Sequence, residues 1–243
     1  MVDADIKKII RQHLEMDDFF TGGFIPKGHP PSQQQSETNK PNDNVNVELE
    51  KIADEVRQCR QCDLAAMRTN AVPGEGNANA SIVFVGEGPG ADEDAQGKPF
   101  VGRAGKLLDR IIDACGLKRT DVFICNVLKC RPPDNRDPSA EEIISCLPYL
   151  QRQLELINPQ IIVALGAHAA RTLLNTNKSI GQLRGQFHEY YPGLGRPPIK
   201  LMATYHTAYL LRNYSQENRK RVWEDMKKVL AELGLPIPQR GRR

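Results

Sequence analysis

Residues 81–90 read SIVFVGEGPG, and this stretch decides the fold. Ile82, Val83, Phe84 and Val85 make an apolar run with no polar residue to turn toward water on either side, the pattern of a strand buried on both faces. Gly86, Gly88 and Gly90 close it at once. Outward from there, similar short runs recur at 122–125, 161–165 and 199–204. Segments of helical periodicity stand around and between them, at 48–58, 103–115, 139–156, 167–174 and 215–233. Ser139 follows Pro138 and precedes Glu142 by three residues, which gives the third of these a capping box. Strands alternating with helices predict an α/β fold, a three-layer α/β/α sandwich about a central, mainly parallel four-stranded sheet.

The chain has 243 residues, 40% of them hydrophobic and 26% charged, ordinary values for a globular protein. Ile6, Ile9, Ile10 and Leu14 lie at helical spacing, so residues 1–20 read as an N-terminal amphipathic helix. Residues 21–46 are rich in Gly, Pro, Ser, Gln and Asn and read as a flexible linker, because they bury too little to offset ordering. A folded domain over 47–236 and a basic tail over 237–243 complete the expected layout. No apolar run approaches the ~18 residues that cross a bilayer. The start, MVDADIKKII, lacks the basic-then-apolar layout of a secretory signal, which points to the cytoplasm. Six cysteines are too sparse for a disulfide scaffold and suit metal or redox roles in a reducing compartment. With 33 basic against 30 acidic residues, the net charge of +3 does not by itself announce a nucleic-acid partner.

Ligands of such a sheet bind beyond the carboxyl ends of its strands. The first strand is followed by Gly86-Glu87-Gly88-Pro89-Gly90, an acidic run to Asp94, and then GKPFVGRAG over 97–105. A glycine turn here could cradle a pyrophosphate, but Pro89 interrupts the motif, and Glu87, Asp92, Glu93 and Asp94 would repel one. A pocket with carboxylates for water activation and an exposed aromatic, Phe100, fits better. Asn126, after the second strand, offers an acceptor and a donor to a planar amide, though an Asn there also caps turns. His206 follows the last strand. Cys59 and Cys62 form C-x2-C, with Cys130 and Cys146 further on; four thiolates suit zinc or an iron–sulfur cluster, and spacing does not separate the two. Cys115 and Cys125 read as apolar filling. Basic residues near these loops, among them Lys98, Arg103, Lys129, Arg131, Arg136, Arg212 and Arg219, are expected to track phosphates.

Taken together, GEGPGADEDAQGKPFVGRAGKLLD, NVLKCRPP, the His206 segment and the cysteines at 59, 62, 130 and 146 resemble the family-four (iron–sulfur) uracil-DNA glycosylases over about residues 50–233. The resemblance implies an α/β/α sandwich with a [4Fe–4S] cluster on Cys59, Cys62, Cys130 and Cys146. It implies hydrolysis of the N-glycosidic bond of a uracil flipped out of single- or double-stranded DNA, leaving an abasic site for base excision repair. By position, Glu87 resembles the carboxylate that orients or activates water, and His206 the donor to a uracil carbonyl. Phe100 resembles the stacking platform, Asn126 the reader of the amide edge, Glu93 the residue crowding the uracil 5-position, and Gly88 falls among the substrate-binding positions. The family usually reads His-Pro-Ser where this chain has His206-Thr207-Ala208, so a non-catalytic iron–sulfur DNA-binding module is the alternative. A branch that traps itself covalently on DNA carries a basic insert after the Asn motif, and RPPDNRDPS here runs on without it. A monomer associated with the nucleoid is expected. His13 to Phe20 loosely resembles a sliding-clamp-binding peptide.

Overall fold

The computed structural model describes residues 43–193 and 195–238. The expected N-terminal helix and clamp-binding stretch, the linker as far as residue 42, and residues 239–243 lie outside the described residues. The first described helix, α1 (Asp43–Gln58), begins five residues before the helical segment expected at 48–58 and takes in the last four positions of the expected linker.

Four strands form the centre of the sheet: β2 (Ile82–Gly86), β3 (Phe123–Asn126), β4 (Ile161–Leu165) and β6 (Ile199–Thr204). All pair in parallel, as the alternating pattern predicts. Two antiparallel edge strands, β1 (Glu75–Gly76) and β5 (Phe187–Tyr190), extend the sheet to six in the order β1-β3-β2-β4-β6-β5. Neither edge strand was legible. One has two residues, and the other, FHEY, is a half-polar edge strand with Glu189 exposed.

Helices cover both faces. On one lie α4 (Arg103–Ala114), α8 (Thr207–Arg212) and α9 (Gln216–Glu232). On the other lie α5 (Ala140–Ile157), α6 (Ala167–Leu174) and the one-turn α7 (Ile180–Leu183). The pleat of β2 divides its side chains between the layers: Ile82 and Phe84 join Leu107, Leu108, Ile112, Met226 and Val229, whereas Val83 and Val85 join Leu150, Leu154, Ala169 and Leu201. Each such apolar side chain contributes about 1.5–3 kcal/mol relative to exposure, which is why the continuous apolar run can only be a central strand. The capping box holds, with Ser139 Oγ accepting from Glu142 N and Ser139 N donating to Glu142 Oε2. Two short helices complete the set, α2 (Leu64–Met67) and α3 (Ala91–Gln96), while α1 packs on α5 through Ile52, Val56 and Tyr149.

Candidate active site

All four central strands run the same way, so their carboxyl ends open on one side, on both flanks of β2. A cavity of about 450 Å³ lies there, lined among others by Glu87, Gly88, Glu93, Phe100, Asn126, His168 and His206. The substrate and catalytic positions expected from sequence, distant along the chain, thus meet in one hollow. Backbone bonds carry the β2–β3 pairing past the strand ends, from Val127 N to Gly86 O and from Leu128 N to Glu87 O, and this fixes the rim. A larger groove of about 720 Å³ beside α1 gathers no comparable set of strand-end groups.

Phe100 forms part of the floor and departs from expectation, being only 5% exposed. Its φ of 51° lies in the left-handed region, strained for a bulky residue and stable only where neighbours over-determine it. Arg119 does so. It donates to the carbonyls of Phe100 and Pro99 while pairing with Asp109 and Glu75. A Cβ at Gly105 would collide with the Phe100 carbonyl, and one at Gly86 with the Phe100 ring and Asn126 Oδ1. These two glycines let the floor sit against the sheet. The Phe100 ring lies 5.7 Å from that of His206, tilted by 34°.

Asn126 is 1% exposed, and its Oδ1 has no hydrogen-bond partner among the described residues. Asn126 lines the cavity, and a buried acceptor without a partner beside a cavity is a candidate for a ligand's donor. His206 is the N-cap of α8, where its Nδ1 accepts from Ala208 N. That bond makes Nδ1 the acceptor and leaves the proton on Nε2. Desolvation, reinforced by the Arg212 charge, pushes the His206 pKa down to about 4, so the ring is neutral near pH 7. The ring thus caps its own helix. Thr207 beneath is fully buried with its Oγ1 unpartnered among the described residues.

Glu87 is half-buried, and desolvation raises its pKa above the ordinary carboxylate range. The Glu93 carboxylate is held by three backbone amides: Gly90 N at 3.1 Å, and Val101 N and Gly102 N at 2.9 Å each. It fastens the loop that carries Phe100. A Cβ at Gly88 would meet only Leu128 at 3.4 Å, an ordinary contact, so packing alone does not require glycine there.

The cysteines form a second centre, behind β3. Cys130 and Cys146 are buried with Leu64 and Leu128, and Cys62 packs against them. Arg68 Nη1 donates to Cys130 Sγ at 3.0 Å, and the same guanidinium reaches the carbonyls of Val56, Arg57 and Cys59. Burial raises the Cys130 thiol pKa, and that of Cys146 to about 11, so both need a cation if they are to be thiolates. The four cysteines are not among the groups whose ligand atoms come within 4.8 Å of one another. The four thiols that act on one another at this corner supply the soft donor set of a metal centre. Cys115 and Cys125 are buried apart from this group, in the two main cores, as filling.

Two of the basic residues expected to track phosphates do not face solvent. Lys129 is 1% exposed and donates to Asn126 O and Gln153 Oε1, and Arg219 is 6% exposed with its guanidinium over Tyr214. Lys98, Arg103, Arg136 and Arg212 are exposed. The sequence reading missed Arg119 and Arg68, whose partners are remote in the chain. It also missed His168, which the strand-end rule could have found.

A family model of the uracil DNA glycosylase superfamily matches residues 73–227. A type-4 uracil-DNA glycosylase of Saccharolobus solfataricus is 50% identical over 190 residues, covering 76% of this chain and 86% of the relative. One from Thermotoga maritima is 48% identical over 182 residues (74% of this chain, 92% of the relative). One from Archaeoglobus fulgidus is 48% identical over 194 residues (78% and 96%). Similarity of this extent, over a pocket built where the sheet's parallel strands end, means that the chain belongs to the uracil DNA glycosylase superfamily and sides with its type-4 members.

Proposed function

We propose that this chain is a uracil-DNA glycosylase that takes uracil out of the DNA stack and hydrolyses its bond to the sugar. The observation that carries the reading is the buried, unpaired acceptor of Asn126, a residue that ends β3 and lines the same cavity as Phe100, Glu87 and His206. Uracil presents N3–H beside O4, so the Asn126 carboxamide accepts from the first and donates to the second. Cytosine reverses both groups and would leave the buried amide mispaired. Phe100 supplies a stacking surface worth about 1–3 kcal/mol. The bare Cα of Gly88 lets the ligand approach the backbone, and Glu93 narrows the wall against a 5-methyl group.

Water attacks C1′ and gives a proton to Glu87, while the N1–C1′ electron pair leaves with the base. Glu87 must be ionised to accept that proton and, lying near the sugar, also favours its oxocarbenium-like charge. Negative charge collects on the departing uracil, where the Nε2–H of neutral His206 donates to a carbonyl oxygen. The exposed Arg212 lines the same cavity and would meet phosphates.

Cys59, Cys62, Cys130 and Cys146 would hold a [4Fe–4S] cluster, which when bound supplies metal–thiolate bonds tying residues 59–62 to the loop after β3. Base removal itself needs only the pocket side chains. In this reading the protein works on DNA as a monomer in the cytoplasm, with residues 47–236 as the catalytic domain.

The test is incubation of purified protein with uracil-containing single- and double-stranded oligonucleotides, followed by alkaline cleavage of abasic sites. Scission is expected with the wild type. No scission above that of the Glu87→Ala/His206→Ala double variant overturns the reading and leaves only the non-catalytic binding module. Iron and sulfide in the purified protein, with visible iron–thiolate absorption, are expected; a colourless zinc protein rules out the cluster.

A further inference from the structure

The pocket uses the residues after β2, β3 and β6, and β4 ends there too. Gly166, Ala167 and His168 turn from β4 into α6, so His168 stands at the fourth strand end. Its Nε2 lies 3.5 Å from Asp137 Oδ1 and 4.0 Å from Glu87 Oε2. One ligating atom from each of the three falls within 4.8 Å of the others. These separations are too long for strong direct hydrogen bonds and short enough for one water to bridge all three. Side-chain exposures of 31% for His168, 33% for Glu87 and 81% for Asp137 grade the trio from the pocket wall outward to solvent.

We propose that His168 and Asp137 are an opposed pair of positioning residues: with Glu87 they hold the attacking water, and their charges pull the carboxylate in opposite directions. This rests on Glu87 being the water-activating carboxylate. The groups that act on it come from several elements. Desolvation raises its pKa most, a protonated His168 on α6 lowers it, Asp137 in the loop before α5 raises it, and Arg212 on α8 lowers it. Of the other charged groups on the pocket wall, Arg136 is paired with Glu142 and Glu93 is held by backbone amides. His206, at the end of β6, is the neutral donor already described. His168 and Asp137 are thus the adjustable pair. An imidazolium at 168 keeps Glu87 ionised to lower pH, and the carboxylate at 137 limits that effect.

The sign follows directly. Glu87 works as the anion, so activity is lost as pH falls through its pKa. His168→Gln removes a positive neighbour and moves this acidic limb to higher pH. Asp137→Asn removes a negative one and moves it lower. Each shift should be about half a pH unit, the size expected for a partly solvated charge about 4–5 Å away.

The experiment measures single-turnover uracil release against pH on a single-stranded oligonucleotide for wild type, Glu87→Gln, His168→Gln and Asp137→Asn, with the melting temperature of each as a folding control. Opposite limb shifts in the two single variants, with the maximal single-turnover rate affected more than the apparent affinity for the oligonucleotide, are expected. A purely structural role would lower the rate evenly across pH. Any pattern other than opposite shifts, while Glu87→Gln abolishes the limb, overturns the assignment of His168 and Asp137. If Glu87→Gln keeps the acidic limb, the underlying reading of Glu87 fails instead.

Discussion

The five residues from Asn126 to Cys130 separate two sites built on opposite rules. On the pocket side, polar groups are left incomplete: the Asn126 Oδ1 has no partner among the described residues, the His206 Nε2–H faces the cavity, and Phe100 is held at φ 51°. On the cysteine side, the cationic side chains are engaged within the fold. Arg68 reaches a thiol and three carbonyls, and Lys129 is satisfied by Asn126 O and Gln153 Oε1, the latter side chain in turn donating to Pro73 O. The contrast separates a site open to a visiting substrate from one whose surroundings are fixed around a resident group. A buried donor or acceptor left open is costly, so a fold keeps one where a visitor completes it. A corner whose groups bond one another spends them on holding the chain together.

If that contrast is right, pocket substitutions damage rate and spare stability, and corner substitutions do the reverse. The largest effect is expected at His206. His206→Gln should cut kcat by about 10²–10³-fold, the loss seen when one donor to a developing anion is removed, with KM little changed. A loss below tenfold would mean that the Nε2–H does not face the leaving base. The same variant checks linkage. The folded His206 binds its proton near pH 4, below the ordinary 6.5, so between those values the unfolded chain holds more protons and stability falls as pH falls. The melting temperature of His206→Gln should therefore drop less than that of the wild type between pH 6.5 and 4.

Arg68→Met comes next. It strips the donor from Cys130 and three carbonyls together and should cost about 1–3 kcal/mol. In a chain of this size that lowers the melting temperature by roughly 2–4 °C per kcal/mol, with the plateau rate of uracil release nearly kept. A large rate loss without a stability loss would break the division between the sites. The smallest effect is at Thr207. Thr207→Val removes a buried hydroxyl without a partner among the described residues, at nearly constant shape, and the melting temperature should hold or rise by a degree or two. A clear fall would show that the hydroxyl is paired.

Much of this was legible in the sequence. The four central strands were, because a strand covered on both faces must be apolar throughout, and 161–165 and 199–204 coincide with β4 and β6. The edge strands were not, since a half-polar strand such as FHEY has the composition of a loop. At the site, the strand-end rule found Glu87, Asn126 and His206. His168 was within its reach, just past the 161–165 run, but was passed over because AHAARTLL reads as an ordinary helix.

The sequence by itself determined the parallel sheet and the order in which its ends deliver their side chains, because hydrophobic periodicity and glycine turns are local properties that survive in one dimension. Only the tertiary structure decided the state of each side chain. Lys129 carries the same charge as Lys98 in the sequence, yet one is sealed among carbonyl oxygens and the other lies in solvent. Likewise Asn126 becomes an open acceptor and His206 a neutral donor only once the strands lie together. Desolvation and hydrogen-bond pairing depend on neighbours that the chain brings in from a distance.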